Sequence, residues 1–222
     1  MKNSRQYSEN VHKLYRRLKS EYAKPQKVQY NDILQAMVYA IISEHNTIDQ
    51  TECAFRRLSE YFVDFNELRL SETDEIAEVL GQDTALAPDI ASRLTAALGS
   101  VFNMYNTVSL ETLRTIGKRQ AKQVLAKVEA VSDFVVDYCM LTSLAGHAIP
   151  LTAKTTEYLK KEALVHPQAD QQEIQGFLTR QIPAKDAYQF YALLRAHTEP
   201  DKSSMLKKKT VRKPKTTKRA KT

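Results

Sequence analysis

The chain has 222 residues, 42% of them hydrophobic, with five Gly and seven Pro, a composition that suits a helical core better than strands and turns. The opening "MKNSRQYSEN" lacks the apolar core of a signal peptide, and no apolar run approaches the roughly 18 residues of a membrane span, so an intracellular protein, cytoplasmic or nucleoid-associated and not secreted, is expected. The formal charge of +7 divides unevenly: residues 201–222 hold ten Lys or Arg against one Asp, a net of +9, which leaves −2 for the other 200 residues.

In chain order, Val11, Leu14, Tyr15, Leu18 and Tyr22 fall at helical spacing and predict an amphipathic helix over 7–22, with Lys13, Arg16, Arg17 and Lys19 on its outer face. Pro25 stops it. Residues 31–43 are apolar nearly all round, as in a central buried helix, and Thr47 offers an N-cap for the next, through Phe62. Ser71, with Asp74 three residues on, resembles a capping box for a short helix that Gly81 ends. Pro88 suits the first turn of a helix carried on by Ile90, Leu94, Leu98 and Val101. A single turn at 109–113 and helices over 118–128, 133–145, 153–164, 170–181 and 184–196 complete an all-α chain of about ten helices.

Cys53 and Cys139 read as small buried hydrophobes, and the five His show no metal-ligand spacing. Neither a metal nor a cofactor is expected. Residues 201–222, with only Met205, Leu206 and Val211 as sizeable apolar side chains, cannot build a core and are expected to be disordered. There Lys207, Lys208, Lys209, Arg212 and Lys213 read as contacts to nucleic acid, each displacing a counterion.

The stretch "VEAVSDFVVDYCMLTSLAGHAIPLT", from Val128, resembles the helix–hairpin–helix region of the endonuclease III family of DNA glycosylases, the HhH-GPD superfamily. The family pattern there is L-P-G-V-G-x-K-T-A, an apolar helix, a Gly, then P-x-V-D-T-H. "YNDILQAMVYAIISEHNT" is similar to an early family helix, and "QIPAKDAYQFYALLRAH" to its closing helix pair, so the resemblance spans about 28–198. It implies two helical subdomains flanking a cleft: 28–140 with the degenerate hairpin, and 141–200 joined by the N-terminal helix of 1–27, with 201–222 as a basic tail. A second register, "LRTIGKRQA" at Leu113–Ala121, matches the hairpin better by letter. It puts Arg119 in the Lys position and Asp137 in the Asp position, but leaves "LAGHAIP" without a counterpart.

In the first register the hairpin Gly positions hold Ala130 and Ser132, flanking Val131; these three are the expected DNA contacts of the hairpin, with Ser132 able to cap the helix that follows. The family's Schiff-base Lys falls on Phe134 and its carboxylate on Thr152; neither side chain can do that chemistry. No catalytic residue is therefore assigned, and Asp137 and Lys154 are the fallback pair. His45 stands where the family has a polar wedge beside a flipped base. No Cys follows His197, so the family's iron–sulfur cluster lacks ligands. With both chemical positions lost, a monomer that binds double-stranded DNA without lyase or glycosylase activity is expected. An active glycosylase using Asp137 and a helical protein-interaction scaffold tethered to nucleic acid by its tail are the alternatives.

Overall fold

In the computed structural model, residues 4–199 are described, and the hydrophobic side chains at helical spacing build eleven α-helices among them. They are α1 (Ser4–Glu21), α2 (Ile33–Ser43), α3 (Ile48–Tyr61), α4 (Phe65–Leu70), α5 (Thr73–Leu80), α6 (Ala87–Tyr105), α7 (Lys118–Leu125), α8 (Asp133–Thr142), α9 (Ala153–Lys161), α10 (Gln171–Gln181) and α11 (Ala184–Thr198), with a 3-10 turn at Glu111–Arg114. No strand occurs among the described residues. The basic residues of 201–222 lie outside them.

Caps set most boundaries. Asp32 accepts from the Leu34 amide to open α2, and Thr47 and Gln50 form a reciprocal capping box on α3. Asp170 and Glu173 do the same for α10. The box expected at Ser71 is absent. Ser71 instead closes α4, its hydroxyl donating to the Glu67 carbonyl, and Glu72 precedes α5 without a side-chain cap. Asp64 caps α4 by accepting from the Asn66 and Glu67 amides.

The apolar α2 sits at the centre, as its all-round hydrophobicity predicts, with α3, α6 and α8 packed around it. Helices α4 and α5 lie on α6. The apolar stripe of α1 (Val11, Leu14, Leu18) is buried, and α1 packs on α10 and α11. Helix α11 also touches α9 and α8, so α8 is the element shared between the helices around α2 and those around α11.

A candidate nucleic-acid interface and a filled centre

Helices α7 and α8 flank a turn over 126–132 and run antiparallel: Lys122 meets Asp137 at 2.8 Å, and Lys118 donates to the Ala145 carbonyl at 2.5 Å. The first register expects a helix, a turn and a helix at these positions. In the second register the turn falls at Ile116–Gly117, where only the 3-10 turn precedes α7. The turn needs a left-handed residue, and Ala130 supplies it at φ 58°, a conformation Gly adopts without steric cost and Ala does not. The Val131 amide reaches the Val128 carbonyl, and the Ser132 hydroxyl accepts from the Val135 amide to cap α8. Glu129 and Asp133 are exposed on the same turn.

Two further loops are tied to this turn. Arg93 on α6 donates to the Ala130 carbonyl at 3.3 Å and to the Glu44 carboxylate at 2.7 Å. The neighbouring His45 is exposed. Asn46, buried beside it, accepts from the Ala85 amide at 2.7 Å and donates back to the Ala85 carbonyl. Next comes Leu86, 56% exposed and held at φ 59° before α6. Sequence reading missed Leu86, which looks like an ordinary apolar residue ahead of a helix. An exposed Leu in a strained loop next to an exposed His is the kind of apolar and polar pair that can be pressed into a duplex.

Behind these loops lie the positions where the resemblance puts chemistry. Phe134 is 1% exposed, and the guanidinium carbon of Arg195 sits 5.7 Å from its ring centroid. Thr152 caps α9 through the Thr155 amide and donates its hydroxyl to Glu199 at 2.7 Å. Glu199 in turn accepts from Arg195 Nε at 3.1 Å, with both side chains 2% exposed. The other guanidinium donors go to the Ser43 hydroxyl (2.6 Å), the Tyr191 hydroxyl (3.0 Å), the Asn46 carbonyl (2.7 Å) and the Ser43 carbonyl. Five donors meet five acceptors, so this buried cation is fully hydrogen-bonded. Burial opposes its charge, but Tyr191 and Glu199 more than offset that, and the guanidinium is held charged above its ordinary range. The Arg195–Glu199 ion pair thus links the two positions, with the guanidinium beside the Phe134 ring at one end and the carboxylate bonded to Thr152 at the other. Tyr138 is stacked beside Phe134 and hydrogen-bonded to Tyr30 at 2.8 Å.

The fallback residues lie elsewhere. Asp137 points from α8 to Lys122 of α7 and its side chain is 3% exposed. Burial raises its carboxyl above the ordinary value, with Lys122 pulling the other way. A raised folded pKa means that the carboxyl helps folding below its unfolded value, and that help is lost as pH rises through the folded one. Asp137→Asn should therefore gain on the wild type as pH rises above about 4 in thermal-melt measurements. A variant that instead falls behind as pH rises shows that the Lys122 pair outweighs burial. Lys154 is exposed in the first turn of α9.

Gly146 and Pro150 form the joint between α8 and α9. The left-handed residue there is Ala145 at φ 49°, whereas Gly146 is needed for closeness: a Cβ would lie 2.8 Å from the tip of Met140 and 3.1 Å from its carbonyl oxygen. The chain has two Cys, one buried on α8 and one half-buried on α3, so four thiolates for an iron–sulfur cluster are not present. No group of three His, Cys, Asp or Glu among the described residues is placed to hold a metal.

No protein-family model and no curated protein matches the sequence. Solved structures do match in fold. The chain is similar to endonuclease III in a non-covalent DNA complex, with a TM-score of 0.68 and 12% identity over 88% of this chain and 86% of that one. It is also similar to the Helicobacter pylori 3-methyladenine DNA glycosylase MagIII bound to 1,N6-ethenoadenine (TM-score 0.63, 14% identity, 87% and 96% covered). A Clostridium acetobutylicum 8-oxoguanine glycosylase/lyase in complex with double-stranded DNA matches at TM-score 0.60 and 18% identity, over 75% of this chain and 60% of that one. The fold is that of the helical DNA glycosylases.

Proposed function

We propose that this protein binds duplex DNA on a glycosylase-type fold without excising a base. What carries the reading is the Arg195–Glu199–Thr152 network: Arg195 lies beside the Phe134 ring and Glu199 is bonded to Arg195 and Thr152, so among the described residues neither position carries an amine or an unpaired carboxylate. Neighbours of the same fold were solved with DNA, which supports the ligand. The helices of 28–140 and those of 141–200, joined by 1–27, are read as two subdomains flanking the cleft.

In this reading the hairpin turn at 130–132, His45 and Leu86 form one face against the duplex. His45 supplies a polar tip and Leu86 an apolar one, so distorted or unstacked steps are favoured, since they cost less to open further. Residues 201–222 add sequence-independent attraction. Lys154 stands as a backbone contact and not as a nucleophile. The protein is read as a monomer, cytoplasmic or nucleoid-associated.

Fluorescence anisotropy of a labelled 21-base-pair duplex tests this. The full chain should bind with strong salt dependence, and removing 201–222 should flatten that dependence. A body lacking 201–222 that shows no binding to any duplex at low salt contradicts a DNA-binding fold and favours the protein scaffold.

A further inference from the structure

The hairpin turn is a poor place for phosphate. Its two Gly positions hold Ala130 and Ser132, and it exposes the carboxylates of Glu129 and Asp133. An acid at a helix N-terminus suits the helix dipole but repels the phosphate that would otherwise sit there. The cations lie one helix back. Lys118, Arg119 and Lys122 share one face of α7, and with Gln123, Met140 and His147 they line a hollow of about 560 Å³ that reaches Ala126 at the edge of the turn.

Two of the three cations are fixed in place. Lys118 is held by the Ala145 carbonyl and Lys122 by Asp137, whose buried carboxylate neutralises it in part. Arg119 is exposed and has no partner among the described residues. Its fork of donors matches a phosphate in a bidentate way. Gly146 packs against Met140 at the side of the hollow, where a side chain would meet Met140.

We infer that the DNA backbone contact has moved from the hairpin turn to this face of α7, with Arg119 and Lys118 as the phosphate ligands. The inference rests on the DNA-binding reading and assigns that reading's main backbone contact. Lys122 is left out of the test, since removing it strands Asp137. The full chain and the double variant Lys118→Gln/Arg119→Gln are titrated with the 21-base-pair duplex between 50 and 300 mM KCl, at a protein concentration spanning both affinities. A control double variant, Lys24→Gln/Lys27→Gln, makes the same charge change in the exposed segment between α1 and α2.

The α7 variant should lower the slope of log K against log salt by about 1–2, near 0.9 per lost contact, and the control by no more than about 0.5. Glu129→Gln/Asp133→Asn should leave that slope unchanged or steepen it. If the α7 and control variants behave alike while the wild type binds, the relocated contact is wrong and the DNA-binding reading stands. If the wild type binds no duplex, both fall. If a decaglutamate peptide binds more tightly than the duplex and is lost in the same α7 variant, the hollow belongs to an acidic protein partner and the inference is overturned.

Discussion

Arg195→Met is expected to destabilise the protein by about 3–5 kcal/mol, the cost of breaking a buried ion pair from one side. The guanidinium satisfies Glu199, Tyr191, the Ser43 hydroxyl and the carbonyls of Ser43 and Asn46. Met fills much of the volume and none of the hydrogen bonds. Glu199 is then a buried carboxylate whose remaining donor among the described residues is the Thr152 hydroxyl, and the carbonyls of Ser43, at the end of α2, and of Asn46 beyond it lose theirs. At this chain length the loss corresponds to a fall in melting temperature on the order of 10 °C. Adding Glu199→Gln should recover part of it, because the uncompensated charge is then gone. A thermal melt of the single and double variants checks both statements; additive losses would mean that the two residues act separately.

Placing the family's Lys and carboxylate at positions 134 and 152 is expected to create no lyase. Phe134→Lys replaces a ring that is 1% exposed and places a second cation next to Arg195, whose guanidinium carbon is 5.7 Å from that ring. Loss of the buried ring alone costs about 3–5 kcal/mol, and the added charge is desolvated and repelled. Thr152→Asp puts a carboxylate where Glu199 already lies within hydrogen-bond distance, so the two acids compete for one cation. The double variant should melt well below the wild type and form no borohydride-trapped complex with abasic DNA. A stable double variant that does trap would show that the centre can accommodate substrate and that the ion pair is not what closes it.

Much of the fold was legible because its signals are local. The period of Val11, Leu14 and Leu18, the all-round apolarity of α2 and the caps at Thr47 and Ser132 each act within a few residues of sequence. Helix α4 escaped because six residues are too few for a periodic pattern. Ser71 misled because a Ser between two helices caps either one equally well on paper, and here its hydroxyl turns back to Glu67. Ends also moved inward: α7 stops at Leu125 and α8 at Thr142, where the turn and the Gly146 joint take over.

The candidate site divides in the same way. Phe134 and Thr152 could be located by counting along one hairpin and one joint. Arg195 and Glu199 could not, because they arrive from the last turn of α11 and the residue just after it, 152 and 47 positions from their partners Ser43 and Thr152. In sequence they look like an ordinary exposed pair four apart at the end of a helix. Only their neighbours Leu193, Leu194 and Ala196, all buried, hint that this turn of helix faces inward. Asp137 looked available for the same reason in reverse: its partner Lys122 sits on the other arm of the hairpin.

The central claim is binding without chemistry, and one measurement addresses it directly. The full chain is saturated with a duplex carrying an abasic site, binding is followed by anisotropy, and the same mixture is treated with borohydride and then with alkali. The expected result is a fully bound duplex with no covalent complex and no cleavage beyond the protein-free control. A trapped complex, or strand scission that rises with protein concentration, would contradict the account and place a working amine in the cleft.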